Sequence, residues 1–191
     1  KPFLTTLYKY PNVSAAIYYS GTLLTWFHEH HPEFLMLLND MVKRSQIELL
    51  GGAFHEPILP LIPASDRSGQ IELLTTYLRR RFGKRPRGIW LPELAWEPSL
   101  PVSLKNCGME YSFLDSAAFE AADIPIRRQY KPARTEDQGK SLEIFPVHSR
   151  LAPLRSIESD GIEPEQYVKR VFAGCPADED TVVVVFDAGE A

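Results

Sequence analysis

Short apolar runs alternate along this chain with longer amphipathic stretches, and this alternation gives the predicted order of elements. The apolar runs have the length of strands and are almost continuous, which is typical of strands covered on both faces of a parallel sheet. We predict strands over residues 13–20, 46–54, 88–93, 111–115, 142–147 and 181–187.

The amphipathic stretches between these runs predict helices. Pro32 lies between two of them and fits the first turn of the second helix. The longest helix is expected to have Ser65 as its N-cap and to stop at Gly83. We predict helices over residues 22–31, 33–45, 66–82, 99–107 and 163–173.

The repetition of strand and helix, without hairpin signals, predicts an α/β fold, either a barrel or a doubly wound sheet. Residues 116–141 break the rhythm because they are polar, and we interpret them as an excursion over a barrel mouth or an edge. We see no boundary along the chain and expect residues 1–191 to form a single domain.

Composition narrows the function classes. The chain has 191 residues, 44% of them hydrophobic, and a net charge of −4, which favours neither nucleic acid nor an anionic membrane as partner. No apolar run approaches the roughly 18 residues of a membrane span. Because the chain starts at Lys1, we expect a fragment of a longer protein, and we expect that protein to be cytoplasmic.

Two charged motifs have simpler explanations than a binding site. The run RRRFGKRPR over residues 79–87 has six cations, but cations in the last turn of a helix are favoured by its dipole. The motif HEHH over residues 28–31 lacks zincin spacing, since the required histidine position is Pro32. Cys107 and Cys175 form no CxxC pattern. We therefore expect no nucleic-acid partner and no metal.

Acidic and aromatic residues follow several of the predicted strands. In folds of strand–helix repeats, ligands bind at the C-terminal ends of the strands. Paired carboxylates beside aromatic rings are typical of sugar chemistry, although acids at strand ends also cap helices. The candidate residues are His55, Glu56, Trp90, Glu93, Trp96, Asp115 and Asp187.

Three motifs carry a resemblance to a known family. The stretches GGAFHEPILPLIP (51–63) and FGKRPRGIWLPELAWEP (82–98) resemble the second and third motifs of glycoside hydrolase family 57, which includes 4-α-glucanotransferases and α-amylases. The closing FDAGE lies where the fourth motif, usually His-Asp-Asp-Gly-Glu, belongs. The chain resembles the glucanotransferase branch most.

The resemblance implies a (β/α)7 barrel, present here in part, and a retaining reaction on α-1,4-glucans or maltooligosaccharides without a cofactor. It implies that Glu93 is the nucleophile, that Trp90 contacts sugar and that Glu56 borders the substrate. His55, Trp96 and Asp115 are further candidates for substrate binding. Asp115 could equally cap the segment that follows it.

The fourth motif departs from the family pattern. Ala188 occupies the position that matches the acid/base aspartate, and Asp187 matches the preceding aspartate. Neighbouring residues on a strand point to opposite faces, so Asp187 is only a weak substitute. Ala188 could be an engineered change or a natural one. The chain is then either an active enzyme or a catalytically impaired relative that binds glucan or is structural. A deacetylase-like barrel would need histidine and aspartate metal ligands, which the sequence does not supply as a pair.

Overall fold

The structure, a computed structural model, describes residues 2–125, 130–147, 163–173, 175 and 181–186. The described helices are α1 (Pro2–Tyr8), α2 (Gly21–His30), α3 (Pro32–Lys43), α4 (Ala64–Phe82), α5 (Leu100–Asn106), α6 (Ser116–Ala121) and α7 (Pro164–Ala173). The described strands are β1 (Ala15–Ile17), β2 (Ile47–Leu49), β3 (Gly88–Ile89), β4 (Tyr111–Asp115), β5 (Ala133–Asp137) and β6 (Lys140–Val147).

The predicted helices are all present, with ends that differ by at most two residues. Pro32 is at the start of α3, and Gly83 ends α4 in a left-handed conformation with φ of 73°. The expected N-cap is wrong, because α4 begins at Ala64 and Pro63 is its N-cap. The extended backbone of Pro63 already supplies the first carbonyl acceptor, and the Ser65 hydroxyl bonds instead to the side chain of Asp66.

Two features of the polar segment were not predicted. Its first part forms α6, and its second part forms β5, which connects to β6 through Gln138 and Gly139. These two residues have φ of 48° and 74°, the pair of positive angles that a tight hairpin turn requires. The expectation of no hairpin is wrong here. Residues in β5 are alternately half-buried and exposed, so this strand lacks the apolar run that marks the others.

Parallel pairing agrees with an α/β fold. β1 and β2 pair in parallel with Ile17 opposite Leu49, and β3 pairs in parallel with β4. The second sheet has the strand order β3-β4-β6-β5. Of the predicted strand 181–187, the described residues contain only a parallel bridge between Val184 and Val147. Closure into a barrel stays a prediction.

The main core cluster is formed by apolar side chains of α1, α2, α3, β2 and α4, with side chains of β1 packed against it. The apolar positions of α3 recur at the spacing of one helix face, from Phe34 and Leu35 to Leu38, Met41 and Val42. Gln46 is buried beside this core, and its side-chain amide donates to the carbonyls of Leu7 and Tyr10. The short α1, which has no periodic signal long enough to predict it, is held in place by these bonds.

The chain divides into two compact units. One contains residues 1–112 and 135–142, and the other contains residues 113–134 and 143–191. The expected single domain stays a prediction. Among the residues that the structure describes, no helix is both long and apolar enough to cross a membrane.

Candidate active site

The second and third motifs begin on neighbouring strands. Beyond β2, Gly51 forms a parallel bridge with Ile89 of β3. The Gly51 N–H donates to the Gly88 carbonyl at 2.8 Å, and the Trp90 N–H donates to the Gly51 carbonyl at 2.9 Å. The segments that carry Glu56 and Glu93 therefore leave the same edge of the sheet side by side.

Glu93 lies in a tight turn directly after β3. The turn covers Pro92–Leu94 and closes through bonds from the Leu94 and Ala95 N–H groups to the carbonyls of Leu91 and Pro92. Glu93 has φ of 55° and Leu94 has φ of 49°, and the Glu93 side chain is exposed. A left-handed conformation costs a non-glycine residue about 1–2 kcal/mol. Such strain is concentrated at functional sites, so the turn marks Glu93 as a candidate.

Glu56 also has a left-handed backbone, with φ of 53°, and an exposed side chain. Its carboxylate contacts the hydroxyl of Tyr18, which follows β1 and lies 3.3 Å from the Ala53 carbonyl. Burial, followed by the charge and hydrogen bond of Glu56, raises the pKa of Tyr18 well above its ordinary value. The Tyr18 hydroxyl therefore keeps its proton and can act as a donor. Tyr18 was not predicted, although a tyrosine pair at the end of an apolar run was a usable signal.

The paired glycines of the second motif make room for this arrangement. A side chain at position 52 would overlap the ring of Tyr18. A side chain at position 51 would lie within 3.2 Å of both Pro86 and Met109. Gly52 therefore leaves room for the Tyr18 ring that contacts Glu56, and Gly51 allows the chain after β2 to pack against Pro86 and Met109.

Helix α4 fixes the main chain around His55. The side-chain oxygen of Gln70 accepts from the His55 N–H at 2.9 Å, and the Gln70 carbonyl accepts from the Phe54 N–H at 3.2 Å. The His55 ring is exposed, and its Nδ1 lies 3.4 Å from the hydroxyl of Thr22. His55 thus shares the Glu56 segment, with its backbone held and its ring accessible.

The other predicted site residues have different surroundings. Trp90 and Trp96 are half-buried on either side of the Glu93 turn. Asp115 caps α6, accepting from the Ala117 N–H at 2.8 Å, and it lies in the second compact unit. Asp187 and Ala188 lie outside the described residues, so their places in the site stay predictions.

Metal ligands do not cluster in the described part of the chain, which contains no group of three or more histidine, cysteine, aspartate or glutamate side chains able to hold an ion. His28 and His30 are exposed on α2, as expected of histidines on a helix surface. The three cations at the end of α4 lie in its last turn.

Sequence comparison identifies relatives over the full length of the chain. The chain is 37% identical over 193 residues to a 4-alpha-glucanotransferase of Thermococcus kodakarensis, which matches 100% of this chain and 28% of that protein. It is 36% identical to an alpha-amylase of Pyrococcus furiosus, covering 99% of this chain and 28% of that protein. The chain therefore spans little more than a quarter of the length of these relatives.

Structural comparison agrees. The crystal structure of 4-alpha-glucanotransferase from Thermococcus litoralis superposes with a TM-score of 0.85 at 32% identity, covering 98% of this chain and 28% of that structure. The family model of glycosyl hydrolase family 57 matches residues 1–190. With the second and third motifs side by side in the fold and this chain matched by the family model over residues 1–190, the chain belongs to glycosyl hydrolase family 57.

Proposed function

We propose that the protein breaks or transfers α-1,4-glucosidic bonds, with Glu93 as the nucleophile. The observation that carries the proposal is the position of Glu93. It is exposed on a left-handed turn at the end of β3, beside the segment of Glu56. The relatives named 4-alpha-glucanotransferase and alpha-amylase support the substrate class.

In the proposed reaction the Glu93 carboxylate attacks the anomeric carbon and the glucosidic bond breaks. The departing sugar oxygen takes up a proton from water, since Ala188 has none to give, and a glycosyl ester of Glu93 forms. Water or the hydroxyl of an acceptor sugar then attacks that ester, loses a proton to water and releases Glu93. Two displacements at one carbon retain its configuration.

The remaining candidates take supporting roles in this proposal. Trp90 and Trp96 offer half-buried rings on which a glucose unit can stack. Glu56, held by Tyr18, and His55 offer polar contacts to sugar hydroxyls, and Asp115 is a further candidate contact. We also propose that β1 to β4 form part of the wall of a (β/α)7 barrel, because parallel neighbours follow one another in chain order.

A second candidate function rests on Ala188. Because alanine has no proton to give, the departing oxygen lacks its acid, and general acid catalysis is worth roughly 10²–10⁴-fold. The second candidate is therefore a catalytically impaired relative that binds glucan.

Maltooligosaccharide turnover tests the first proposal. The full-length protein and its Glu93→Gln variant are incubated with maltooligosaccharides, and products are separated by chromatography. We expect hydrolysis or redistribution of chain length with the parent and at least a 10³-fold loss with the variant. Equal product formation by both proteins would show that Glu93 is not the nucleophile.

The Ala188→Asp variant separates the two candidates. If position 188 supplies the acid, this variant turns over maltooligosaccharides about 10²-fold faster or more, while activity on a glucosyl fluoride, whose leaving group needs no proton, changes little. Asp187→Asn tests whether the neighbouring aspartate supplies the proton instead, and in that case it lowers turnover by the parent. Such a gain in Ala188→Asp, or glucan binding without products in both proteins, would favour the second candidate, whereas equal turnover of maltooligosaccharides by the parent and Ala188→Asp would favour the first.

A further inference from the structure

Arg67 is a buried cation that joins the segments after the two candidate acids. It lies in the first turn of α4, and its guanidinium forms bonds with both segments. Nε donates to the Ile62 carbonyl at 2.9 Å and Nη2 to the Pro60 carbonyl at 3.1 Å. Nη1 lies 2.6 Å from the carboxylate of Glu97.

The bonds on the Glu97 side form a small network. The Ser99 hydroxyl lies 3.4 Å from Nη1 of Arg67 and donates to the Glu97 carboxylate at 2.6 Å. The hydrogen bond from Ser99, followed by the bond and charge of Arg67, holds the pKa of Glu97 below its ordinary value. Glu97 thus stays ionised as the partner of Arg67.

The two segments joined in this way are the continuations of the acid-bearing turns. Pro60 lies four residues beyond Glu56, and Glu97 lies four residues beyond Glu93. One helical turn beyond Arg67, Gln70 holds the His55 N–H. One face of α4 therefore contacts both segments, and only Arg67 among these side chains bonds to the two of them.

Arginine suits this task for a geometric reason. Its planar fork presents several donors in fixed directions, so one side chain can satisfy two carbonyls, a hydroxyl and a carboxylate together. A lysine ammonium is a single compact centre and cannot span the same acceptors. Burying a cation is costly unless its partners are all in place, so the network has one favoured arrangement.

We propose that Arg67 is a positioning residue that sets the separation of the Glu56 and Glu93 turns. The proposal rests on the proposed role of Glu93. Its consequence is that Arg67 affects how fast the glycosyl-enzyme forms, although it need not touch the substrate. A displacement of about 1 Å at a reacting group can cost roughly 10²-fold in rate.

The test measures the rate at which Glu93 becomes glycosylated in the full-length protein. The reagent is an α-glucosyl fluoride with a second fluorine on the ring, which slows loss of the sugar from the enzyme. Glu93 attacks the anomeric carbon, fluoride leaves with the bonding electrons, and no acid at position 188 is required. Intact mass and peptide mapping report the label and its position.

Three variants are compared at a temperature where circular dichroism shows each to be folded. Arg67→Met removes the guanidinium. Arg67→Lys removes the planar guanidinium but keeps the positive charge, and it replaces the methionine variant in the test if that variant does not fold. Arg85→Met is the matched control, because Arg85 also bonds to a carbonyl, that of Cys107, and to a carboxylate, that of Glu72, away from both turns.

We expect Arg67→Met and Arg67→Lys to slow labelling of Glu93 by about 10–100-fold at saturating reagent, and Arg85→Met to change it less than threefold. A purely structural role would lower the unfolding temperature and leave the rate of the folded fraction unchanged. Labelling at the parent rate in folded Arg67→Met or Arg67→Lys would overturn the proposal alone. A parent protein that is never labelled at Glu93 would overturn the proposed function, and the role of Arg67 with it.

Discussion

The turns that carry Glu56 and Glu93 have almost the same backbone angle, with φ of 53° and 55°, but different supports. The Glu56 turn is contacted from two other elements, by Tyr18 after β1 and by Gln70 on α4. The Glu93 turn closes through its own main-chain bonds, and Glu97, four residues later, forms an ion pair with Arg67.

The difference bears on how each acid is oriented. Bonds within a turn fix its shape but not its direction relative to the sheet. The Glu56 turn receives its direction locally, whereas the Glu93 turn depends on the strand before it and the Arg67 network after it. Glu56 and Glu93 share a strained conformation but are held by different contacts. This indicates that the surroundings preserve the direction of each carboxylate.

The largest expected effect comes from replacing Glu93 by glycine, a residue that accepts a positive φ without strain. Glu93→Gly should lower kcat/KM on maltooligosaccharides by about 10⁴-fold or more, because the covalent route is lost. It should also raise the free energy of unfolding by up to about 1 kcal/mol. Steady-state kinetics and urea unfolding measure the two changes.

Glu56→Gly sharpens the comparison. Its relief of strain is offset by the lost bond to Tyr18, worth about 1 kcal/mol, so we expect no gain in stability and a smaller loss of activity. Gln138→Gly, at φ of 48° in the turn between β5 and β6, is the control, with a gain in stability and unchanged kinetics. Equal gains at positions 56 and 93 would contradict the idea that the two turns are supported differently.

A smaller effect is expected from Gly52→Ala, which acts on the Glu56 turn alone. The added methyl group would overlap the ring of Tyr18 and push its hydroxyl away from Glu56. We expect a loss of about 1–3 kcal/mol in the free energy of unfolding, measured with urea. Gly69→Ala, within α4 and with no atom near the added methyl group, should instead stabilise by about 0.5–1 kcal/mol. A neutral Gly52→Ala would show that the Tyr18 contact is dispensable.

The smallest expected effect is a loss of stability at low pH that depends on Glu97, the partner of Arg67 beyond the Glu93 turn. The folded-state pKa of Glu97 is lowered, first by Ser99 and then by Arg67. The stabilisation from its carboxylate is therefore present above the unfolded-state pKa of about 4.3 and is lost as the pH falls through the lower folded-state value. The parent should lose more stability than Glu97→Gln below about pH 4, so their unfolding curves converge in acid. Parallel curves would show that Glu97 titrates as if it had no partner.

Patterning predicted most of the regular elements because burial leaves a periodic trace. The apolar runs located β2, β4 and β6, and helix periodicity with Pro32 and Gly83 located α3 and α4. Elements without such a trace were missed. The strand β5 is exposed at alternate residues and depends on a two-residue turn, and α1 is held by the amide of Gln46 from a distant part of the chain.

The sequence by itself determined the family and singled out Glu56, Glu93 and the two tryptophans as candidates, since motif spacing survives without coordinates. Only the tertiary structure decided that Glu56 and Glu93 share a strained backbone, that Tyr18 contacts one of them and that Arg67 joins the segments beyond both. The bridge between Gly51, just beyond β2, and Ile89 of β3 joins residues 38 positions apart, and the guanidinium of Arg67 reaches Ser99, 32 positions away. No local pattern encodes such contacts, because they exist only once the strands and α4 have packed together.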